Sequence, residues 1–346
     1  MSRGRAAART GTVFALLVLA FGVMLVLNVN IGSQRASIPV GRILEILLHG
    51  GPDGTNEANV IWTIRLPRLL AAAVLGGALS VSGFLLQSSF RNPIAGPYVL
   101  GISSGAKLMV GVMLVFVYRK ITGVPFWTQM AASFVGSMLI TAFVLLFAQR
   151  VKSMASLLVI GIMISSVCTA VTDFLITLAD QADVVDLHAW SMGRFSAVSW
   201  TNLHIASAVI FAALAGAILL SKPISAYQLG ESYAQSMGVP VRAFRVALIG
   251  LSSLLSAAVT ALSGPISFVG VAVPHMTKLL FGSARPLVII PGSFLLGGVF
   301  CMGCDLIVRV AFPGNAPLPI STVTAVFGAP VVIALMLRRQ RGKADG

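Results

Sequence analysis

Few residues in this 346-residue chain could do chemistry, and they stand apart from one another. The four histidines, His49, His188, His204 and His275, show no metal-ligand spacing, and no glycine-rich phosphate loop occurs. Cys301 and Cys304 form a lone CxxC inside an apolar run. With no second pair and no nearby histidine they read as small helix-packing residues rather than a metal or redox site. No paired catalytic groups share a common depth, so the chain reads as no enzyme. It is expected to hold no cofactor or metal and to hydrolyse no ATP itself. What remains are charges in apolar surroundings: Arg65 and Arg68 flanking Leu66-Pro67, Asp305 four residues before Arg309, Lys107 and Asp173. An unpaired charge at a bilayer centre costs about 2.5–3.5 kcal/mol on insertion scales, so each needs a partner, water or a function.

The elements that carry these charges are membrane spans. The chain is 57% hydrophobic and 10% charged, with a mean hydropathy of +0.95, which excludes an ordinary soluble domain. The net charge of +14 sits in short loops between apolar runs, with no basic face interleaved with aromatics. Anchoring to membrane lipid accounts for it, and nucleic acid is not an expected partner. A basic start (Arg3, Arg5, Arg9) precedes an apolar run at 13–27, read as an uncleaved first span. A short amphipathic piece follows at Val40–Leu48. Further apolar runs at 69–90, 97–118, 129–148, 155–179, 201–220, 244–263, 265–281, 286–311 and 320–337 bring the expectation to about ten transmembrane helices in one all-α domain covering 1–346. An even count puts both termini on one side. With the N-terminus inside, fifteen Lys and Arg fall inside and eight outside, Lys107 lying within a span. The excess predicts cytoplasmic termini, with Trp62, Trp127, Trp190 and Trp200 as outer anchors.

Three patterns refine the bundle. Ala73/Gly77 and Gly76/Ser80 are small-xxx-small pairs that allow close helix approach. The run 264–281 holds Pro265, Gly270 and Pro274, and the run 320–337 holds Gly328-Ala329-Pro330, so broken helices are expected, a habit of transporters. Residues 65–83 and 245–264 share a texture, which suggests an inverted repeat with halves at about 63–180 and 244–338. The longest inner loop, 222–243, contains a helix-compatible stub at 229–239; from spacing alone it reads as a solvated connector.

RLPR (65–68), SGFLLQSSFRNPIAGPYVLGISSGA (82–106), LGESYAQSMGV (229–239), SGPISFVGVAVPHMTKLLFG (263–282), CDLIVR (304–309) and TAVFGAP (324–330) occur in order along nearly the whole chain. In these motifs the chain resembles the FecCD-type permeases, the membrane subunits of type II ABC importers for vitamin B12, ferric siderophores and haem. Two departures stand out. Pro317 occupies the place of the family's usual glutamate before the last span, and Lys107 replaces a small or apolar residue.

The resemblance implies roles. Arg65, Arg68 and Arg309 match outer arginines that receive glutamates of a substrate-binding protein, with Asp305 orienting Arg309. Gly230, Glu231, Ala234, Met237 and Gly238 fall in the coupling helix that docks on the ATP-binding subunit. Asn92, Pro93, Gly264, Gly270, Pro274 and His275 belong to structural motifs, His275 as a hydrogen-bonder in a broken helix. The fifth span would wall a cavity on a dimer axis, with Ser165, Ser166, Thr169, Thr172 and Asp173 facing it, although such hydroxyls more often bond their own helix. Lys107 is expected to snorkel or to pair with an acid, Asp173 being one choice. The implied assembly is a homodimer, or a pair with a close paralogue. Two ATPase subunits that use ATP and magnesium and a periplasmic or lipid-anchored binding protein complete it, in the bacterial inner membrane. The expected cargo is a ferric siderophore, with haem and cobalamin as alternatives. An ion-coupled secondary transporter is the competing class, since broken helices would suit it too, but it would need free intramembrane carboxylates.

Overall fold

The computed structural model describes residues 3–32, 38–51, 54–118, 126–151, 154–311 and 319–344. Pro317, and the loop charges Arg35, Asp53, Arg119, Lys120 and Lys152, lie outside the described residues. Every regular element among the described residues is helical. In chain order they are α1 (Arg3–Asn30), α2 (Val40–Leu48), α3 (Asn56–Asn59), a π turn (Val60–Arg65) leading into α4 (Leu66–Phe90), α5 (Ile102–Met113) closing in a π turn, α6 (Phe126–Arg150), α7 (Met154–Leu178) and α8 (Gln181–Ser191). Then come α9 (Trp200–Leu219), α10 (Ser221–Leu229), α11 (Glu231–Ser236), α12 (Val241–Ser263), α13 (Val269–Phe281), α14 (Pro286–Ala311) and α15 (Ile320–Ala344). Seven helices are long and apolar enough to cross a bilayer, and three shorter apolar helices begin at Ile102, Val269 and Ile320. Together they match the ten runs of the sequence.

Burial decides the layout. The apolar window ending in α4 is 89% buried, against 17% for α1 and α7. So α4 is the axis of the bundle and α1 and α7 are peripheral. Small residues put it there. A Cβ on Gly76 would stand 2.5 Å from the Gly297 oxygen, and one on Gly297 would stand 2.5 Å from the Gly76 oxygen, so α4 and α14 touch backbone to backbone. Cys301 fills the remaining space beside Gly76 and is buried with Cys304, both as free thiols in a packed interface. The Ala73/Gly77 and Gly76/Ser80 pattern is thus the α14 face of α4.

On another face α4 crosses α12 through a reciprocal pair. Ser82 Oγ donates to the Ser252 carbonyl at 2.7 Å, Ser252 Oγ donates to the Ser82 carbonyl at 2.8 Å, and the two hydroxyl oxygens are 2.8 Å apart. The exchange gives this contact a local two-fold relation, as expected where two halves of opposite direction meet. Each of these long helices is also followed by a short one: α4 by α5, and α12 by α13.

Of the breaks the prolines suggested, the one at Pro265 is present and those at Pro274 and Pro330 are not. Pro274 lies inside α13 and Pro330 inside α15, both continuous helices. A proline mid-helix removes one N–H bond, which closely packed neighbours tolerate. The chain opens at 264–268, between Gly264 (φ 73°) and Phe268 (φ 65°). A Cβ on Gly264 would overlap the Trp190 carbonyl, so glycine is required there by space as well as by φ. The short helix α8 and the elements α2, α10 and α11 lie between spans; of these only α2 and the region of α11 were legible in the sequence.

Candidate functional site

At one end of the bundle three arginines gather, and two of them, Arg68 and Arg309, meet a single acid, Asp305. Arg68 grips Asp305 with Nε at 3.0 and 3.1 Å and Nη2 at 2.8 Å, a bidentate pair. Arg309, one turn after Asp305, places Nε 3.1 Å from the other carboxylate oxygen. So Asp305 orients Arg309, as expected, but it holds Arg68 as well. The rest of the cluster serves α1. Arg65 Nη1 donates to the carbonyls of Val29 (2.5 Å) and Asn30 (3.0 Å). Arg309 Nη1 donates to those of Asn28 (3.1 Å) and Ile31 (2.7 Å), and its Nη2 to the Asn28 side chain. These are the last carbonyls of α1, which has no basic residue of its own in its last turn. Two guanidinium groups from α14 and the approach to α4 supply that cap and meet the negative end of the helix. This corrects the expectation of an arginine rim: Arg65 and Arg309 are buried. Arg68 keeps a partly open edge, which lines a 170 Å³ pocket with the exposed Arg194.

The mid-bundle break is tied to α4 by polar contacts. A Cβ on Gly83 would fall on top of the Gly270 carbonyl, so α13 begins in contact with the α4 backbone. Gln87 Nε2 donates to the carbonyls of Gly270 (3.3 Å) and Val271 (3.1 Å), the first of which gets no helical bond because Pro274, four residues on, has no N–H. Lys278 Nζ reaches the Gln87 oxygen at 3.5 Å. His275 Nε2 stands 2.9 Å from the Pro93 carbonyl, which makes it the hydrogen-bonder expected. Arg91 ends α4 in the left-handed region (φ 50°), and the Asn92 side chain accepts from the Ile94 N–H at 3.1 Å, closing the turn. Sequence reasoning missed Gln87; a glutamine in an apolar span is the signal that could have found it.

At the opposite end, α10 and α11 form a bent stub hinged at Gly230 (φ 150°) and ended by Gly238 (φ 81°). Arg245, buried at the start of α12, holds it by an ion pair with Glu231 and a 3.3 Å bond to the Tyr227 hydroxyl. Arg91 adds a 2.9 Å bond to the Tyr227 carbonyl. Of the residues expected there, Ala234 is fully buried, and Glu231 pairs with Arg245 while its side chain stays 40% exposed. Its exposed residues include the apolar Leu229, Tyr233 and Met237, interleaved with Ser232, Gln235, Ser236 and Gly238. A Cβ on Gly238 would meet nothing within 4 Å, so the space beside it is open.

Between these ends a cavity of about 370 Å³ opens among the first turns of α5, the middle of α7, α8, the 264–268 break and the start of α15. Lys107, Ser104, Thr169, Thr172, His188, Ser191 and Ser321 are among its walls. Thr169 and Thr172 donate to the carbonyls of Ser165 (2.9 Å) and Cys168 (2.7 Å), their own helix. Ser165 meets Ser104 at 2.6 Å and Ser166 donates to Ile162 at 3.0 Å. On the outside of α7, Ser165, Ser166, Thr169 and Asp173 line an open groove of about 540 Å³. Asp173 stands on that exposed face near the end of α7 rather than at its centre. Among the described residues no ion pair joins it to Lys107. Of the pathway residues expected from sequence, the cavity gathers Lys107, Thr169 and Thr172, and the groove gathers Ser165, Ser166 and Asp173. His188 and the α8 wall were not foreseen, because α8 has no span-like pattern.

Comparison with known proteins gives these ends and this cavity a context. A model of the FecCD transport family matches residues 18–338. The hemin transport system permease protein HmuU of Yersinia pestis is 34% identical over 293 residues, 84% of this chain and 87% of that protein. The vitamin B12 import system permease protein BtuC of Klebsiella pneumoniae is 37% identical over 284 residues, 82% of this chain and 84% of that one. A solved structure described as a metal-chelate type ABC transporter in an inward-facing conformation superposes with a TM-score of 0.82 at 27% identity, over 95% of this chain and 99% of that one.

Proposed function

Because this chain belongs to the FecCD transport family, we propose that it is the membrane-spanning permease subunit of an ATP-driven importer that translocates an iron chelate. The observation that carries the reading is the family match over residues 18–338 together with a fold shared across 95% of the chain. Its relatives are permeases named for hemin and for vitamin B12. The cargo is accordingly a bulky chelate, with a ferric siderophore as the specific assignment and haem and cobalamin as the neighbouring ones.

The geometry supports a division of labour. The stub α10–α11 carries exposed apolar residues and is held to the bundle by buried Arg245. It suits docking on a separate ATPase subunit, whose hydrolysis would drive the cycle. The Arg68 and Arg194 edge of the opposite end suits a carboxylate of an external binding protein, and such rim charges mainly set encounter rate and register. The polar stripe on the outside of α7 suits a second permease copy enclosing a shared aqueous path. Both termini are assigned to the cytoplasm from the charge count. Ion coupling fits less well. Asp305 is held by Arg68 and Arg309, and Asp173 stands on an exposed face, so neither has the setting of a carboxylate that binds a coupling ion.

The test is uptake of radiolabelled ferric chelates, haem and cobalamin into proteoliposomes holding the permease, its ATPase and the loaded binding protein. ATP-dependent uptake is expected. Uptake driven by a proton gradient with the ATPase left out would overturn the reading.

A further inference from the structure

The 370 Å³ cavity has an electrostatic character that the importer role does not require. No carboxylate is among the residues that line it, while Lys107 and His188 are. Lys107 is half-buried in α5, and among the described residues no acid pairs with it. Most of the hydroxyls around it already donate inward. Ser321 Oγ donates to the Pro265 carbonyl at 2.8 Å and Ser191 Oγ to the Leu187 carbonyl at 2.9 Å. Thr169 and Thr172 donate to their own helix. The wall therefore offers few free donors to a guest, and the ammonium of Lys107 is the charged one. A lone ammonium inside a span is expensive unless water or an anion meets it. In a cleft with low-dielectric walls its field is focused on whatever enters.

We propose that this cavity is a carboxylate subsite on the cargo path, with Lys107 receiving a carboxylate of an anionic chelate. The proposal rests on the importer reading and adds a substrate class to it: a chelate with at least one free carboxylate is favoured over a neutral one of similar size. A 370 Å³ space holds one arm of such a cargo, not the whole. Lys107 is thus a specificity residue.

The test reads the cavity's charge without needing transport. Ser267 lines the cavity and is half-buried, so Ser267→Cys places a thiol there. The native Cys168, Cys301 and Cys304 are buried, and the unsubstituted protein gives the background. The permease is held in phosphatidylcholine nanodiscs, which supply no anionic headgroup. Labelling rates are compared for a sulfonate-bearing and a trimethylammonium-bearing methanethiosulfonate of similar size. The anionic-to-cationic rate ratio should fall about ten-fold when Lys107→Met is added, the scale expected for one unit charge acting at several ångströms in a partly wet site. Lys107→Arg should keep the ratio, which separates charge from fold. Haem or ferric citrate should then slow the labelling of Ser267→Cys, and haem dimethyl ester, with both carboxylates masked, should not. A ratio indifferent to Lys107, equal protection by the ester, or no protection by either carboxylate chelate would each overturn the proposal. If ratio and protection hold but the assembled complex shows no ATP-driven uptake, it is the importer reading that fails.

Discussion

At the scale of single residues, the most consequential group is Asp305, because one buried carboxylate holds two guanidinium groups, Arg309 buried and Arg68 partly open. Replacing it with Asn keeps the shape and removes the charge. Arg68 and Arg309 would then face each other with no counter-ion, and breaking a buried pair in this way destabilises by about 3–5 kcal/mol. A clear drop in the thermal unfolding midpoint of the detergent-purified Asp305→Asn protein is expected. Adding Arg68→Gln should recover part of the loss, since one of the two stranded charges is gone; an unchanged midpoint in the single variant would show that the cluster is solvated. The motif around Arg65 and Arg68 was visible in the sequence, and so was the Asp305–Arg309 spacing. What could not be read was the remote partner. Arg65 and Arg309 bond carbonyls of Asn28 to Ile31, 35 or more residues away, and backbone acceptors leave no trace in side-chain identity. The one hint was negative: α1 ends on Asn-Val-Asn with no basic residue of its own in its last turn.

At the scale of elements, glycine contacts decide how close helices come, and they separate into needed and spare positions. Gly83 lies so close to the Gly270 carbonyl that a methyl group would overlap it, whereas Gly250, mid-way along α12, has nothing within 4 Å. Gly83→Ala should therefore push α13 from α4 and lose about 1–3 kcal/mol through overpacking, while Gly250→Ala should be neutral or gain up to about 1 kcal/mol. Comparing the two unfolding midpoints checks the close approach, and equal effects would refute it. The stub helix gives a second contrast. Met237 is exposed and Ala234 is enclosed. Met237→Glu should leave the midpoint unchanged but reduce ATPase-coupled uptake several-fold by placing a charge among the exposed apolar residues of the proposed docking surface, whereas Ala234→Leu should lower stability itself. Long spans and the amphipathic α2 were legible because their patterns are local. The break at 264–268 was legible in Gly264 and Pro265, but Pro274 and Pro330, which suggested breaks as well, sit in continuous helices because closely packed neighbours tolerate one lost N–H bond. Where a helix stops is decided by its backbone, here the left-handed Gly264 and Phe268 that bound the break.

At the scale of the whole molecule, the order and direction of the spans follow from counting, but the sides do not follow from the fold. Seven long helices and three short ones alternate, and α8, with 11 residues, reaches only about 16 Å and does not cross. Between the exposed Asp186 on α8 and the exposed Met237 after α11, α9 is the one helix long enough to span. These two positions must then lie on opposite sides of the membrane. Which is which depends on charge: under the orientation proposed above from the fifteen-to-eight distribution of Lys and Arg, Met237 is expected inside and Asp186 outside. The structure leaves the excess of that count in place. Arg42, Arg65, Arg68 and Arg309 of the outer set and Arg9, Arg91, Arg245 and Lys278 of the inner set are held by internal partners, and leaving them out takes four from each. The bias toward inside therefore survives. A membrane-impermeant maleimide applied to cells with a permeabilised outer membrane should label Asp186→Cys directly and Met237→Cys only after lysis. Labelling of both without lysis would contradict the crossing by α9; the reverse pattern would keep that crossing and invert the molecule, moving the stub to the face where no ATPase could reach it.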